Sequence, residues 1–185
     1  PVKIFNRPKL SEKLAEFFGI MLGDGSMSKL QINITLNSVA DANYINVVIN
    51  LCNKLFGVRP KDRKRKRQNA HVIYYDGINL VKYLIKFGLI PGNKVKNQVG
   101  VPKWILNSSK YKTACLRGLM DTDGGVFTHR YKVNDKPYAY RKICFTNRSL
   151  PLLHFVYQTL MELGFNPKLV DKVENKKVWL YNTHE

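Results

Sequence analysis

The chain has 185 residues, enough for one compact domain or for two small halves sharing a core. Its 44% hydrophobic and 11% aromatic content supports a packed interior, and no apolar run is long enough to span a bilayer, so a disordered tail and a membrane-spanning helix are both excluded. Lys and Arg number 31 against 13 Asp and Glu, and a net charge of +18 repels itself unless a polyanion offsets it; nucleic acid is the first candidate, bound with steep salt dependence.

Residues 1–9 are basic and irregular, and Pro8 ends this lead-in. No signal-peptide pattern appears, and a start at Pro1 reads as a processed or trimmed piece of something longer. Ser11 is placed to N-cap a helix running through Leu14, Phe17 and Phe18 to Gly23. That helix closes on Phe17-Phe18-Gly19-Ile20-Met21-Leu22-Gly23-Asp24-Gly25, an apolar end that delivers a carboxylate and stops on glycine. Residues 30–37 alternate with period two and predict a half-buried strand. Its polar face carries Gln31, Asn33, Thr35 and Asn37, and amides pair bidentately with adenine edges.

Ser38 is expected to cap a second helix with Tyr44, Val47, Val48, Leu51 and Leu55 on its apolar face, ending at Phe56-Gly57. The basic run that follows, if extended, sets Arg59, Lys61, Arg63, Arg65 and Arg67 on one face. It leads into a strand at 72–75, and the resulting two-stranded ribbon fits a DNA major groove. A helix over 78–87 turns Leu80, Val81, Leu84 and Ile85 inward, and residues 88–103, rich in Gly and Pro, link two halves, 1–100 and 101–185.

The second half repeats the first. A helix from Tyr111 ends on Leu116-Arg117-Gly118-Leu119-Met120-Asp121-Thr122-Asp123-Gly124, so Gly118, Asp123 and Gly124 each lie 99 residues after Gly19, Asp24 and Gly25. Thr146 to Ser149 matches Thr35 to Ser38, Leu163 to Lys168 matches Phe56 to Lys61, and Val178 to Tyr181 is set against Val72 to Tyr75. Each half reads helix, two strands, helix, two strands; a further helix is expected in the first half only.

Ala15, Gly19 and Gly23 form a ladder of small residues at i, i+4 spacing, and Ala114, Gly118 and Thr122 form another. Helices meeting along such faces approach more closely than Leu-packed helices, whose axes sit about 8–10 Å apart. If the two run parallel, Asp24 and Asp123 meet at one tip, where they repel unless a cation lies between them. A hard divalent ion such as Mg²⁺ is the natural occupant.

Both stretches resemble the signature of the LAGLIDADG homing endonucleases, and two copies in one chain look like the family's single-chain, pseudo-symmetric members. The resemblance implies an α+β fold of two αββαββ(α) half-domains whose antiparallel sheets lie along double-stranded DNA. It implies two or more Mg²⁺ ions on Asp24 and Asp123, with the Gly23 and Thr122 carbonyls as further ligands. Lys94 stands where the family often places a lysine, an assignment Lys96 shares, and Asn147 is a candidate outer-shell group. Arg130 and Lys142 are the second-half candidates for DNA contact. Leu22 replaces the motif's inner Asp while Asp121 keeps it; that position is not a metal ligand in the family.

The implied activity is a staggered double-strand break at a long asymmetric target, made by a monomer as part of intron homing or of the homing of an intein. The alternative within the family is a maturase that binds its host intron RNA. A calcium loop at Asp121 fails, because Gly125 and Lys132 stand at ligand positions, and no glycine-rich phosphate loop ends in Lys-Ser/Thr. Cys52, Cys115 and Cys144 lack any C-x-x-C spacing, which suits a reducing intracellular compartment, organelle matrix and microbial cytoplasm alike, and opposes both a disulfide frame and a zinc site.

Overall fold

The computed structural model describes residues 5–65, 68–172 and 175–181. In chain order it contains α1 (Glu12–Leu22), β1 (Gly25–Met27), β2 (Gln31–Asn37), α2 (Ala42–Phe56), β3 (Lys61–Arg65), β4 (Ala70–Asp76) and α3 (Ile78–Lys86). There follow α4 (Lys103–Leu106), α5 (Ser109–Asp123), β5 (Gly124–Val133), β6 (Lys136–Thr146), α6 (Leu150–Glu162), β7 (Lys168–Lys172) and β8 (Asn175–Tyr181). Two four-stranded antiparallel sheets result, ordered β1-β2-β4-β3 and β5-β6-β8-β7. The same order in both is the α+β repeat read from the sequence.

Capping and burial explain the central helices. The Ser11 hydroxyl accepts the Leu14 N–H at 3.3 Å, as expected, and Ser108 does the same for Tyr111 at 3.5 Å. From Leu14 to Leu22 only Glu16 is not fully buried, the mark of a helix enclosed on all sides. Phe17, with no exposed surface, meets Phe56 edge-to-face at 5.1 Å; burying a ring that size contributes about 2–3 kcal/mol. One continuous core holds residues from both repeats, among them Phe17, Ile34, Phe56, Leu119, Phe145 and Leu153. Among the described residues no helix is long and apolar enough to cross a membrane.

Some local expectations need correction: Val47 and Ile85, expected on the buried faces of their helices, are both exposed. Ser38 does not cap α2: Asn37 accepts the Val39 and Ala40 N–H groups through its side chain, turning the chain there, and the helix starts only after Asp41. The strand equivalence is also displaced by one residue. Ile34 pairs with Ile73 and its counterpart Phe145 pairs with Val178, so Val178 answers to Ile73 and not to Val72.

Candidate active site and nucleic-acid face

The two small-residue ladders meet. A Cβ on Gly19 would strike the Cys115 carbonyl and lie 3.0 Å from the Leu119 nitrogen. A Cβ on Gly118 would strike the Glu16 carbonyl and lie 2.8 Å from the Ile20 nitrogen. Each pair is the other shifted by 99 residues, so α1 and α5 cross on a pseudo-dyad, backbone against backbone. One turn on, a Cβ on Gly23 would lie 2.8 Å from Thr122 Cβ and 3.5 Å from Asp123 Oδ2. The glycines after the carboxylates serve the same closeness: Gly25 and Gly124 do not have positive φ, but a side chain there would enter the Met21 or Met120 backbone.

Asp24 follows the C-cap Gly23 and Asp123 is the last residue of α5. Burial, then the Asp123 charge, push the Asp24 carboxyl up to about 6, against a smaller lowering by Lys94. Asp123 is raised too, chiefly by burial, with an Asn147 hydrogen bond and Lys94 opposing. Lys94 reaches in from the linker and donates to the Leu22 carbonyl at 3.0 Å and to the Gly23 carbonyl. Burial lowers its own pKa while both carboxylates raise it. Asn147 donates from Nδ2 to Asp123 Oδ2 at 2.7 Å. The pairings of Gly25 with Ile34 and of Gly124 with Phe145 make Leu36 the counterpart of Asn147, so Asp24 has no matching donor.

Two repelling, desolvated carboxylates are a donor set that suits a hard divalent cation. Among the described residues no third His, Cys, Asp or Glu joins them. The Gly23 carbonyl is engaged by Lys94, and the Thr122 hydroxyl turns back to the Gly118 and Leu119 carbonyls at 2.9 and 3.1 Å. Asp121 neighbours Tyr44, Glu16 and Arg117, not this pair.

The sheet registers sort the predicted contact residues. Asn33, Tyr74 and Lys61 lie opposite one another, as do Thr35, Val72 and Arg63, and Asn37, Ala70 and Arg65. Directly opposed residues share a face, so the polar row and the basic row stand together on the side away from the core. Gln31 and Lys61 are both tied to Asp76, at 2.6 and 2.9 Å. Arg59 is exposed just before β3, and Arg67 lies outside the described residues. On the second sheet Lys142 is on the outward face, whereas Arg130, opposite Ala139, is on the face of Ile143 and Phe145.

The LAGLIDADG-like domain family matches residues 110–184, which contain the second helix end and its sheet. The fold is similar to that of I-DmoI in complex with DNA and Ca: TM-score 0.54, 18% identity, covering 93% of this chain and 83% of that one. It is similar also to full-length DUF199/WhiA from Thermatoga maritima: TM-score 0.58, 14% identity, 95% of this chain and 53% of that one. At such identities the likeness is one of fold. The first copy, 99 residues earlier, packs on the matched one through the same glycine. The second half of this chain matches the LAGLIDADG-like domain family, and the whole chain has a fold similar to that of the LAGLIDADG homing endonucleases. It is also 29% identical over 181 residues to the replication factor C small subunit of Methanocaldococcus jannaschii; that stretch is 96% of this chain but spans only 9% of the relative.

Sequence reasoning about this chain missed an aromatic row. Phe127, His129 and Tyr131 on β5 oppose Lys142, Tyr140 and Tyr138 on β6. Tyr131 stacks on Tyr138 at 5.4 Å and on His129 at 5.8 Å, while Lys142 lies over the Tyr140 and Trp179 rings at 5.1 and 5.7 Å. The signal was present as period-two aromatics on both sides of Asn134 and Asp135, which take the left-handed conformation of a tight hairpin turn.

The raised carboxyls set a pH dependence. A carboxyl whose pKa is higher in the folded chain stabilises most below its unfolded value, and that contribution is lost as pH rises through the folded one. Metal-free protein should therefore lose stability as pH climbs through about 6. Asp24→Asn should recover roughly 1–2 kcal/mol at neutral pH, after discounting for the solvent still reaching the group. Thermal melts of both proteins in chelator across this range check it; parallel curves would remove Asp24 as the strained group.

Proposed function

We propose that this chain is a site-specific DNA endonuclease that makes a staggered double-strand break by metal-dependent phosphodiester hydrolysis. The observation that carries the reading is the pair Asp24 and Asp123, brought together at the tip of two backbone-packed helices between two outward sheet faces. Asp24 and Asp123 would hold the metal, in our reading two or more Mg²⁺ ions. Bound there, such ions supply a water nucleophile at neutral pH and neutralise charge at the leaving oxygen.

The chain's own groups do the rest. Asn147 orients Asp123, leaving its other oxygen available. Lys94, held by two carbonyls, keeps a cation beside both carboxylates where phosphate charge must be accommodated. The row from Gln31 to Asn37 offers hydrogen bonds to base edges, and Lys61, Arg63 and Arg65 meet phosphates on the same face. We place the halves at 1–100 and 101–185, in a monomer, because both small-residue helix faces are already used within one chain. A reducing intracellular compartment suits its three free cysteines.

The second reading is a maturase binding its host intron RNA. The exposed aromatic row of β5 and β6 favours it, because such rings stack on unpaired bases. The deciding experiment incubates the protein with a plasmid library of randomised inserts, with Mg²⁺ or with chelator, and sequences the ends formed. Discrete, overhanging, Mg²⁺-dependent ends are expected. Binding without any cutting, together with tighter binding to structured RNA, would move the assignment to the second reading.

A further inference from the structure

Gln98 combines features that solvation of a linker side chain does not explain. It is exposed, yet its backbone sits at φ 42°, the left-handed region that a non-glycine residue avoids. Its side chain is fully engaged: Nε2 donates to the Val95 carbonyl at 2.6 Å and to the Arg148 carbonyl at 3.3 Å, and Oε1 accepts the Leu150 N–H at 3.0 Å. Between Arg148 and Leu150 lies Ser149, whose hydroxyl donates to the Val99 carbonyl at 2.5 Å. The Ser149 N–H in turn donates to Asn147 Oδ1 at 2.8 Å, which leaves Asn147 Nδ2 aimed at Asp123. Gln98 thus closes a path from the linker to one carboxylate, made of hydrogen bonds and of the peptide backbone around Ser149. The same loop carries Lys94, which holds the carbonyls beside the other, and the Val99 N–H donates to the Lys94 carbonyl at 3.2 Å.

We infer that Gln98 is a positioning residue: it clamps the corner between β6 and α6 so that Asn147 presents its amide to Asp123, and it sets this in register with Lys94. The inference rests on the endonuclease reading for its catalytic consequence, though not for the clamp itself. Backbone strain at one exposed residue is tolerated when the surroundings over-determine it, and such outliers gather at functional sites. Supporting groups behind a metal ligand change affinity or rate by about 10–100-fold when removed.

Gln98→Gly separates positioning from stability, because glycine relieves the left-handed backbone while deleting the clamp. The melting temperature should hold or rise, while single-turnover cleavage in Mg²⁺ falls about tenfold. In metal-free, DNA-free protein the Asn147 side-chain amide signals should move toward those of a solvated asparagine. Added to Asn147→Ala, Gln98→Gly should cost less than it does alone, since the path to Asp123 is already cut and only the register with Lys94 is left to lose. An unmoved Asn147 amide, or rate losses that multiply in the double variant, would overturn the role. Should the wild type not cut DNA at all, the endonuclease reading falls, and the amide signals still decide the clamp.

Discussion

Asp24→Asn is expected to abolish cleavage of both DNA strands, and Asp123→Asn to do the same. The two carboxyls sit on the pseudo-dyad, coupled strongly enough that the Asp123 charge helps to raise Asp24. In the proposed endonuclease, ions held between them would serve the reaction on either strand, so neither residue would belong to one cut alone. Asparagine keeps the size and loses the charge, so the loss should be about 10³-fold or more, at least that of removing a preorganised charge stabiliser. Folding should survive and DNA affinity hold or rise, because repulsion from phosphate falls. Strand-specific end-labelling in Mg²⁺ reads the outcome. A variant still cutting one strand at the parental rate would show two independent sites.

Gly118→Val should prevent stable folding, and Gly118→Ala should already be severely destabilising. In an isolated helix, alanine is favoured over glycine by about 1 kcal/mol. Here the new Cβ would enter the Glu16 carbonyl and approach the Ile20 nitrogen, and neither can move without parting the helices. Overpacking of this kind costs about 3 kcal/mol, and more when backbone is the obstacle. Denaturant titrations of Gly118→Ala, Gly19→Ala and Gly125→Ala test it together, since a Cβ on Gly125 meets nothing within 4 Å. The first two should lose stability and the third should not. A stabilised Gly118→Ala would mean that the helices do not touch.

The carboxylate pair was legible because it depends on spacing alone: small residues at i, i+4 and a matched Asp at the end of each helix. The outward row of β2 was legible for the same reason, since period two assigns faces without further information. Lys94 could not be separated from Lys96, because only the folded loop decides which side chain meets the Leu22 and Gly23 carbonyls. Ser38 misled because a competing side chain, Asn37, satisfies the local N–H groups first. The aromatic row was hidden by its polarity. Apolar members of an alternating strand are assigned to the core, but Phe127, Tyr131 and Tyr138 are exposed, and the core side beyond Ile143 carries Arg130 and Arg141.

The two hairpins differ in length, and a difference in length becomes a difference in reach. β6 has 11 residues where β2 has 7, and β5 has 10 where β1 has 3. At about 3.4 Å per residue the longer strand extends about 37 Å and the shorter about 24 Å. Laid along a duplex rising about 3.4 Å per base pair, these correspond to about eleven base pairs on one side of the carboxylates and about seven on the other. Such a grip would have a heading: turned end for end, the protein would no longer fit the same stretch. Once a duplex is parted at the centre, the arm under the short hairpin would leave first, and the arm under the long one would stay behind.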